Sequence, residues 1–199
     1  MSIQTAPATA PGFLIDASWP SAGSQALRRV ILILAGTALL AISAKVQVPF
    51  WGGPVPLTMQ TFVVIVLGAA YGWGLGLATI LAYLAEGALG IPVFAGAVAG
   101  PAYMAGPTGG YLIGFVLGAG LCGGLAARGW DRSLWQTAIA MTLGHLVILG
   151  CGVTWLALAL HMGFDKAWAV GFMPFVSATL LKTALAVAVM PLAWRIAKR

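Results

Sequence analysis

Between residues 26 and 197 the sequence runs as long apolar stretches, and the breaks between them carry proline, glycine and aromatic residues more often than charge. That pattern constrains the fold most. A helix needs about 20 residues to cross the hydrocarbon core of a bilayer. Six stretches qualify as spans, at 26–47, 57–71, 74–89, 109–128, 134–161 and 174–197. The second and third are short and are separated only by the Tyr-Gly-Trp-Gly at 71–74. The chain is 61% hydrophobic and 7% charged, whereas soluble domains carry about 25% charged residues. Strand-length segments of strict alternation, as in a membrane barrel, are not seen. The sequence therefore predicts an all-α membrane protein with six transmembrane helices.

Charge placement orients it. Six spans put both termini on one side. Arg28, Arg29, Arg128, Arg132, Arg195, Lys198 and Arg199 then share that side, against Lys45, Lys166 and Lys182 elsewhere. Basic residues favour the cytoplasmic side, so a multi-pass protein of the cell inner (plasma) membrane with both termini cytoplasmic is expected. The net charge of +6 is accounted for by these flanks and does not indicate nucleic acid. Residues 1–25 are rich in proline, alanine and serine and lack the layout of a signal peptide. They read as a flexible tail, with GFLIDASW touching the membrane surface, ahead of a helical domain at 26–199. The external side receives the connections 47–58, 90–110 and 161–174, which hold prolines, glycines and aromatics. Irregular backbone at membrane depth is tolerated where it lines a cavity, so a ligand site is expected at the external end of the bundle.

Glycines recur every fourth residue at Gly106, Gly110, Gly114 and Gly118, and again at Gly68, Gly72 and Gly76. Such ladders let helix backbones approach closely. Packing within the chain is favoured over contact with another subunit. Ala38, Ala41 and Ala44 give the first span a small face suited to a partner protein.

Ionisable groups inside spans are functional candidates. Lys182 lies in the apolar run PFVSATLLKTALAVAVMP, about two turns below the external end of the last span. It is either paired with Glu86 for structural reasons or held as a cation for an anionic ligand. Thr179 shares its face. Tyr83 precedes Glu86 by one turn, and Glu86 suits a ligand contact or a structural pair equally. Gln60 caps the second span or offers its amide to a ligand. Lys45 snorkels, His145 reads as a core histidine, and His161, Asp165 and Lys166 as solvated loop residues. Cys122 and Cys151 read as buried structural thiols. No metal-ligand spacing, Walker A loop, HExxH or GxSxG occurs, so the chain is expected to be no enzyme and to need no cofactor. Neither a chain of acidic residues nor an inverted repeat is evident, which weakens a conventional secondary transporter.

Four motifs carry a resemblance: PVPLTMQT (54–61), GALGIPVFAG (87–96), GPTGGYLIGF (106–115) and PFVSATLLK (174–182). In order and spacing the chain resembles the BioY family, the biotin-specific substrate-binding (S) components of energy-coupling factor (ECF) transporters, over about residues 27–197. The resemblance implies six membrane helices, capture of biotin from outside, and partners in the bilayer: a transmembrane coupling protein (T component) and ABC-type ATPase subunits. It departs from the family at Thr179, where an aspartate usually stands three residues before the lysine. For biotin, Trp51, Phe94, Tyr103 and Tyr111 would flank the bicycle and chain. Gln60, Tyr83, Glu86 and Thr179 would offer hydrogen bonds, and Lys182 would meet the carboxylate. Two alternatives stand beside this reading, a self-sufficient biotin or organic-anion permease and a membrane enzyme acting on an acyl or isoprenoid substrate. A homo-oligomer is left open.

Overall fold

The computed structural model describes residues 12–19, 24–48 and 53–197. In chain order the elements are α1 (Leu14–Ser18), α2 (Gln25–Lys45), β1 (Gln47–Val48), β2 (Leu57–Thr58), α3 (Gln60–Ala88), α4 (Pro101–Met104), α5 (Gly109–Ala126), α6 (Leu134–Leu158), α7 (Phe164–Gly171) and α8 (Phe175–Ala197). Serine caps start two of the long helices. The Ser24 hydroxyl accepts from the Leu27 amide at 3.4 Å and that of Ser133 from the Gln136 amide at 3.3 Å, satisfying first-turn donors that have no helical partner.

Among the described residues five helices are long and apolar enough to cross a membrane: α2, α3, α5, α6 and α8. The second and third spans of the sequence reading are thus two halves of one element. Only Gly72 leaves the helix between them, with φ 78° and ψ 171°, a conformation that glycine reaches without a Cβ clash. The break reverses the chain. On a straight helix Gln60 and Tyr83 would stand about 34 Å apart, yet their side chains are hydrogen-bonded at 2.6 Å. Near the bend, a Cβ on Gly76 would lie 3.1 Å from the Gly68 Cα. The halves therefore run antiparallel, in contact, as a helical hairpin.

The glycine ladder of α5 faces inward. A Cβ on Gly114 would lie 2.8 Å from the Ile148 Cα, and one on Gly118 3.1 Å from the Gly144 carbonyl, so α5 and α6 meet backbone to backbone. On another side of α5, Gly68 abuts Ala119, and Gly123 abuts Trp73. The central helix is α5, clasped between α3 and α6. Outward-facing positions carry large apolar side chains such as Leu34, Ile42, Leu117 and Leu181, the reverse of what a water-soluble surface favours.

The two ends differ. One end holds the Gly72 bend, the α5–α6 connection and the start of α2. There Arg132 stacks 4.4 Å from the Trp194 ring, and the Trp194 indole donates to Asp131 at 2.5 Å. The chain before α2 is part of this end. The Phe13 ring covers Gly72, Arg132 donates to the Gly12 carbonyl at 3.3 Å, and Arg28 binds the Ile15 carbonyl and Asp16, each at 3.0 Å. The boundary expected at residue 25 cuts through these contacts: within GFLIDASW, α1 is packed on the bundle. At the other end lie the β1–β2 hairpin, paired Gln47 to Thr58 and Val48 to Leu57, the 89–108 connection with α4, and α7.

Candidate functional site

A narrow cavity with about 30 Å³ of internal room opens at this second end. Small-molecule sites enclose roughly 300–1,000 Å³, so the walls must part to admit a ligand. These walls come from four parts of the chain: Val55, Pro56 and Thr58 before α3 with Gln60 and Thr61 in its first turn; Ala95 and Tyr103 from the long connection; Thr108 capping α5 with Tyr111, Leu112 and Phe115 on it; and Phe175 and Lys182 on α8. The α5 residues repeat at helical spacing and so share one face.

Lys182 is 6% exposed. Seven residues into α8, it sits about 10 Å below the helix start. Its ammonium donates to the Thr58 carbonyl at 2.6 Å and to the Thr61 hydroxyl at 3.0 Å. A lysine removed from water needs such acceptors. Glu86 is not among them: the half-buried carboxylate forms no ion pair among the described residues. Of the three N–H groups of the ammonium, one is left for a ligand.

Gln60 opens α3, where its backbone N–H donates to the Thr58 hydroxyl at 3.3 Å. Its side-chain orientation is fixed by a relay. The Tyr83 hydroxyl donates to the Val93 carbonyl at 2.9 Å and so must accept from Gln60, whose Nε2 lies 2.6 Å away. The amide nitrogen is thereby committed to Tyr83. The amide oxygen accepts from the Thr58 hydroxyl at 3.2 Å and keeps a second lone pair, and Gln60 lines the cavity with Lys182. The polar end of the cavity thus presents an ammonium donor and an amide acceptor together.

Two aromatics complete the walls. The Tyr111 hydroxyl donates to the Gly171 carbonyl at 2.6 Å, and its ring stacks with Phe175 at 5.7 Å. Tyr103 stacks on Phe94 at 4.8 Å. Burial pushes the Tyr103 phenol up from its ordinary value, against the opposing influence of Thr108 and the Ala95 backbone, so it is a neutral donor.

Of the residues singled out in the sequence, Lys182, Gln60, Tyr103 and Tyr111 line the cavity. Tyr83 and Phe94, both fully buried, stand behind its wall with ring centroids 5.5 Å apart. Glu86 and the half-buried Thr179 are not in the lining, and Trp51 lies outside the described residues. The alanines of α2 do not form one outer stripe: Ala38 is exposed, Ala41 packs half-buried against the core, and Ala44 is fully buried. Sequence reasoning missed Thr58 and Thr61. Both flank Gln60 in PVPLTMQT, but nothing local shows that a carbonyl and a hydroxyl there meet a lysine more than a hundred residues away.

The BioY family model matches residues 16–199. A probable biotin transporter BioY of Pyrococcus horikoshii is 42% identical over 160 residues, covering 80% of this chain and 92% of its relative. A biotin transporter BioY of Thermotoga maritima is 40% identical over 157 residues, covering 78% and 90%. A crystal structure of the S-component for biotin from an ECF-type ABC transporter superposes with a TM-score of 0.75 at 22% identity, over 89% of this chain and 94% of that one, which fixes the shared fold. With the family model matched from α1 to the C terminus, the chain belongs to the BioY family.

Proposed function

We propose that this chain captures biotin at the outer face of the cell membrane and carries it inward as the S component of an ECF transporter. Named biotin transporters at 42% and 40% identity support the ligand. The observation that carries the reading is the cavity itself, apolar in most of its lining, with Lys182 and Gln60 at one polar end. Biotin is a ureido–thiophane bicycle on a valerate chain. The ureido group needs a donor for its carbonyl and acceptors for its N–H groups. Lys182 and the Gln60 oxygen supply one of each. A carboxylate in the same place would face the Gln60 oxygen, acceptor against acceptor. The polar end therefore suits the ureido head, reversing the orientation expected from charge alone. The valerate then runs toward the mouth along Tyr111, Leu112 and Phe115.

The chain carries no ATP-binding loop, so the driving energy comes from an ATPase pair acting through a coupling protein in the bilayer. The α3 hairpin counts as two crossings, giving six with the other long helices. The arginine-bearing end, with both termini, faces the cytoplasm across the inner membrane.

Calorimetric titration into the purified full chain in detergent tests the reading. Biotin should bind one to one. Biotinamide, which lacks the carboxylate charge, should retain most of the affinity, and 2-iminobiotin, altered at the ureido carbonyl, should lose most of it. A folded chain that binds no biotin overturns the function, and the opposite ranking of the two analogues overturns the orientation.

A further inference from the structure

Lys45 ends α2 at the cavity end of the bundle. An exposed lysine in such a place ordinarily snorkels toward water and headgroups. Here its ammonium donates to two carbonyls of one loop, Phe94 at 2.7 Å and Gly96 at 2.8 Å. Lys45 forms no ion pair with a described residue, so two peptide dipoles, not a carboxylate, hold this charge. The residue between the two carbonyls is Ala95, which is buried and lines the cavity. Phe94 in turn stacks on Tyr103, another wall residue.

Backbone bonds pin the two ends of the segment: the Ile91 N–H donates to the Glu86 carbonyl at 3.1 Å and the Gly100 N–H to the Gly87 carbonyl at 2.7 Å. Gly90 and Gly100 bracket it, and nothing lies within 4 Å of where their side chains would begin. Within the wall Tyr83 donates to the Val93 carbonyl, the Phe94 ring packs against Tyr83 and Tyr103, and Tyr103 is hydrogen-bonded to the Ala95 backbone; Lys45 supplies the charged donor. We propose that Lys45 is a positioning residue: its ammonium clasps segment 93–96 against the end of α2, keeps Ala95 and Tyr103 closed over the cavity, and so sets how fast the ligand leaves. Its role in ligand release rests on the biotin reading above; the clasp itself does not.

The test uses the full chain with Lys45→Met, which keeps the stem and loses the ammonium, and Lys45→Arg, which restores charged donors. Amide hydrogen exchange on the unliganded proteins follows residues 90–104, and stopped-flow mixing follows biotin association and release. Lys45→Met should raise exchange in 90–104 and leave the helices unchanged. It should release biotin about tenfold faster or more, as expected when a charge-assisted clasp is lost, with association equal or faster. Lys45→Arg should recover most of both effects. Unchanged exchange in 90–104, a rise spread through the helices, or faster exchange with unaltered release would each overturn the proposal. If the unsubstituted chain binds no biotin, the biotin reading fails and takes the release role with it, while the exchange measurement still decides the clasp.

Discussion

Gln60 and Tyr83 are 23 residues apart within one helical element, yet their side chains share a hydrogen bond of 2.6 Å. The Gly72 bend makes this contact possible, and the contact aims the Gln60 amide. Tyr83→Phe removes the hydroxyl and frees Gln60 to flip. A buried polar group left without its partner costs about 1–3 kcal/mol. The variant should melt earlier and bind biotin roughly tenfold more weakly, by thermal denaturation and calorimetry.

Lys182 separates affinity from stability. Losing one partner of a buried charged contact with a ligand costs about 2–5 kcal/mol, so Lys182→Met should weaken biotin binding by roughly a hundredfold. The substitution leaves the Thr58 carbonyl and the Thr61 hydroxyl without their donor, a cost of about 1–3 kcal/mol that is offset because a charge need no longer be buried. Calorimetry should therefore show the loss while the melting temperature of the ligand-free protein stays within a few degrees.

Glycines of α5 and α6 differ in what surrounds them. A side chain at Gly114 meets the Ile148 backbone at 2.8 Å, whereas one at Gly150 meets nothing within 4 Å. Overpacking a tight interface costs about 1–3 kcal/mol or more. Gly114→Val should sharply reduce the yield of monodisperse protein in size-exclusion chromatography, and Gly150→Ala should not.

Phe13 covers the bend of α3 at the end of the bundle opposite the cavity. Removing its half-buried ring should cost about 1–2 kcal/mol. Phe13→Ala should lower the melting temperature and leave the biotin titration unchanged, because the two sites lie at opposite ends of the helices.

Ala38 is the exposed member of the small face on α2. If the coupling protein docks there, Ala38→Leu should abolish co-purification with that protein and the ATPases while biotin binding by the isolated chain persists. Intact co-purification would move the docking face elsewhere.

Much of this architecture was legible in the sequence because lipid imposes a simple rule: long apolar runs must become helices that satisfy their own backbones. The hairpin was visible as two short runs, although the reversal needs only Gly72. Lys182, Gln60, Tyr103 and Tyr111 stood out as polar or aromatic residues within motifs. The acceptors of Lys182 were not legible. Glu86, an acidic residue inside a predicted span, was the natural candidate, but hairpin geometry brings the Thr58 carbonyl there instead. Tyr83 and Phe94 were drawn toward the site, yet they act one layer behind it, a distinction that depends on tertiary packing. The α1 contacts escaped because a Pro/Ala/Ser-rich composition says nothing of a single phenylalanine fitting against a bend.

The cavity-end connections are gripped by main-chain carbonyls: Thr58 by Lys182, Val93 by Tyr83, Phe94 and Gly96 by Lys45, Gly106 by Trp155, and Gly171 by Tyr111. In every case the donor is a helix side chain and the acceptor is an atom common to all residues. Drift in loop sequence therefore leaves these anchor points intact, so evolution can rewrite the loop side chains that face a ligand while the helices preserve the loop's path.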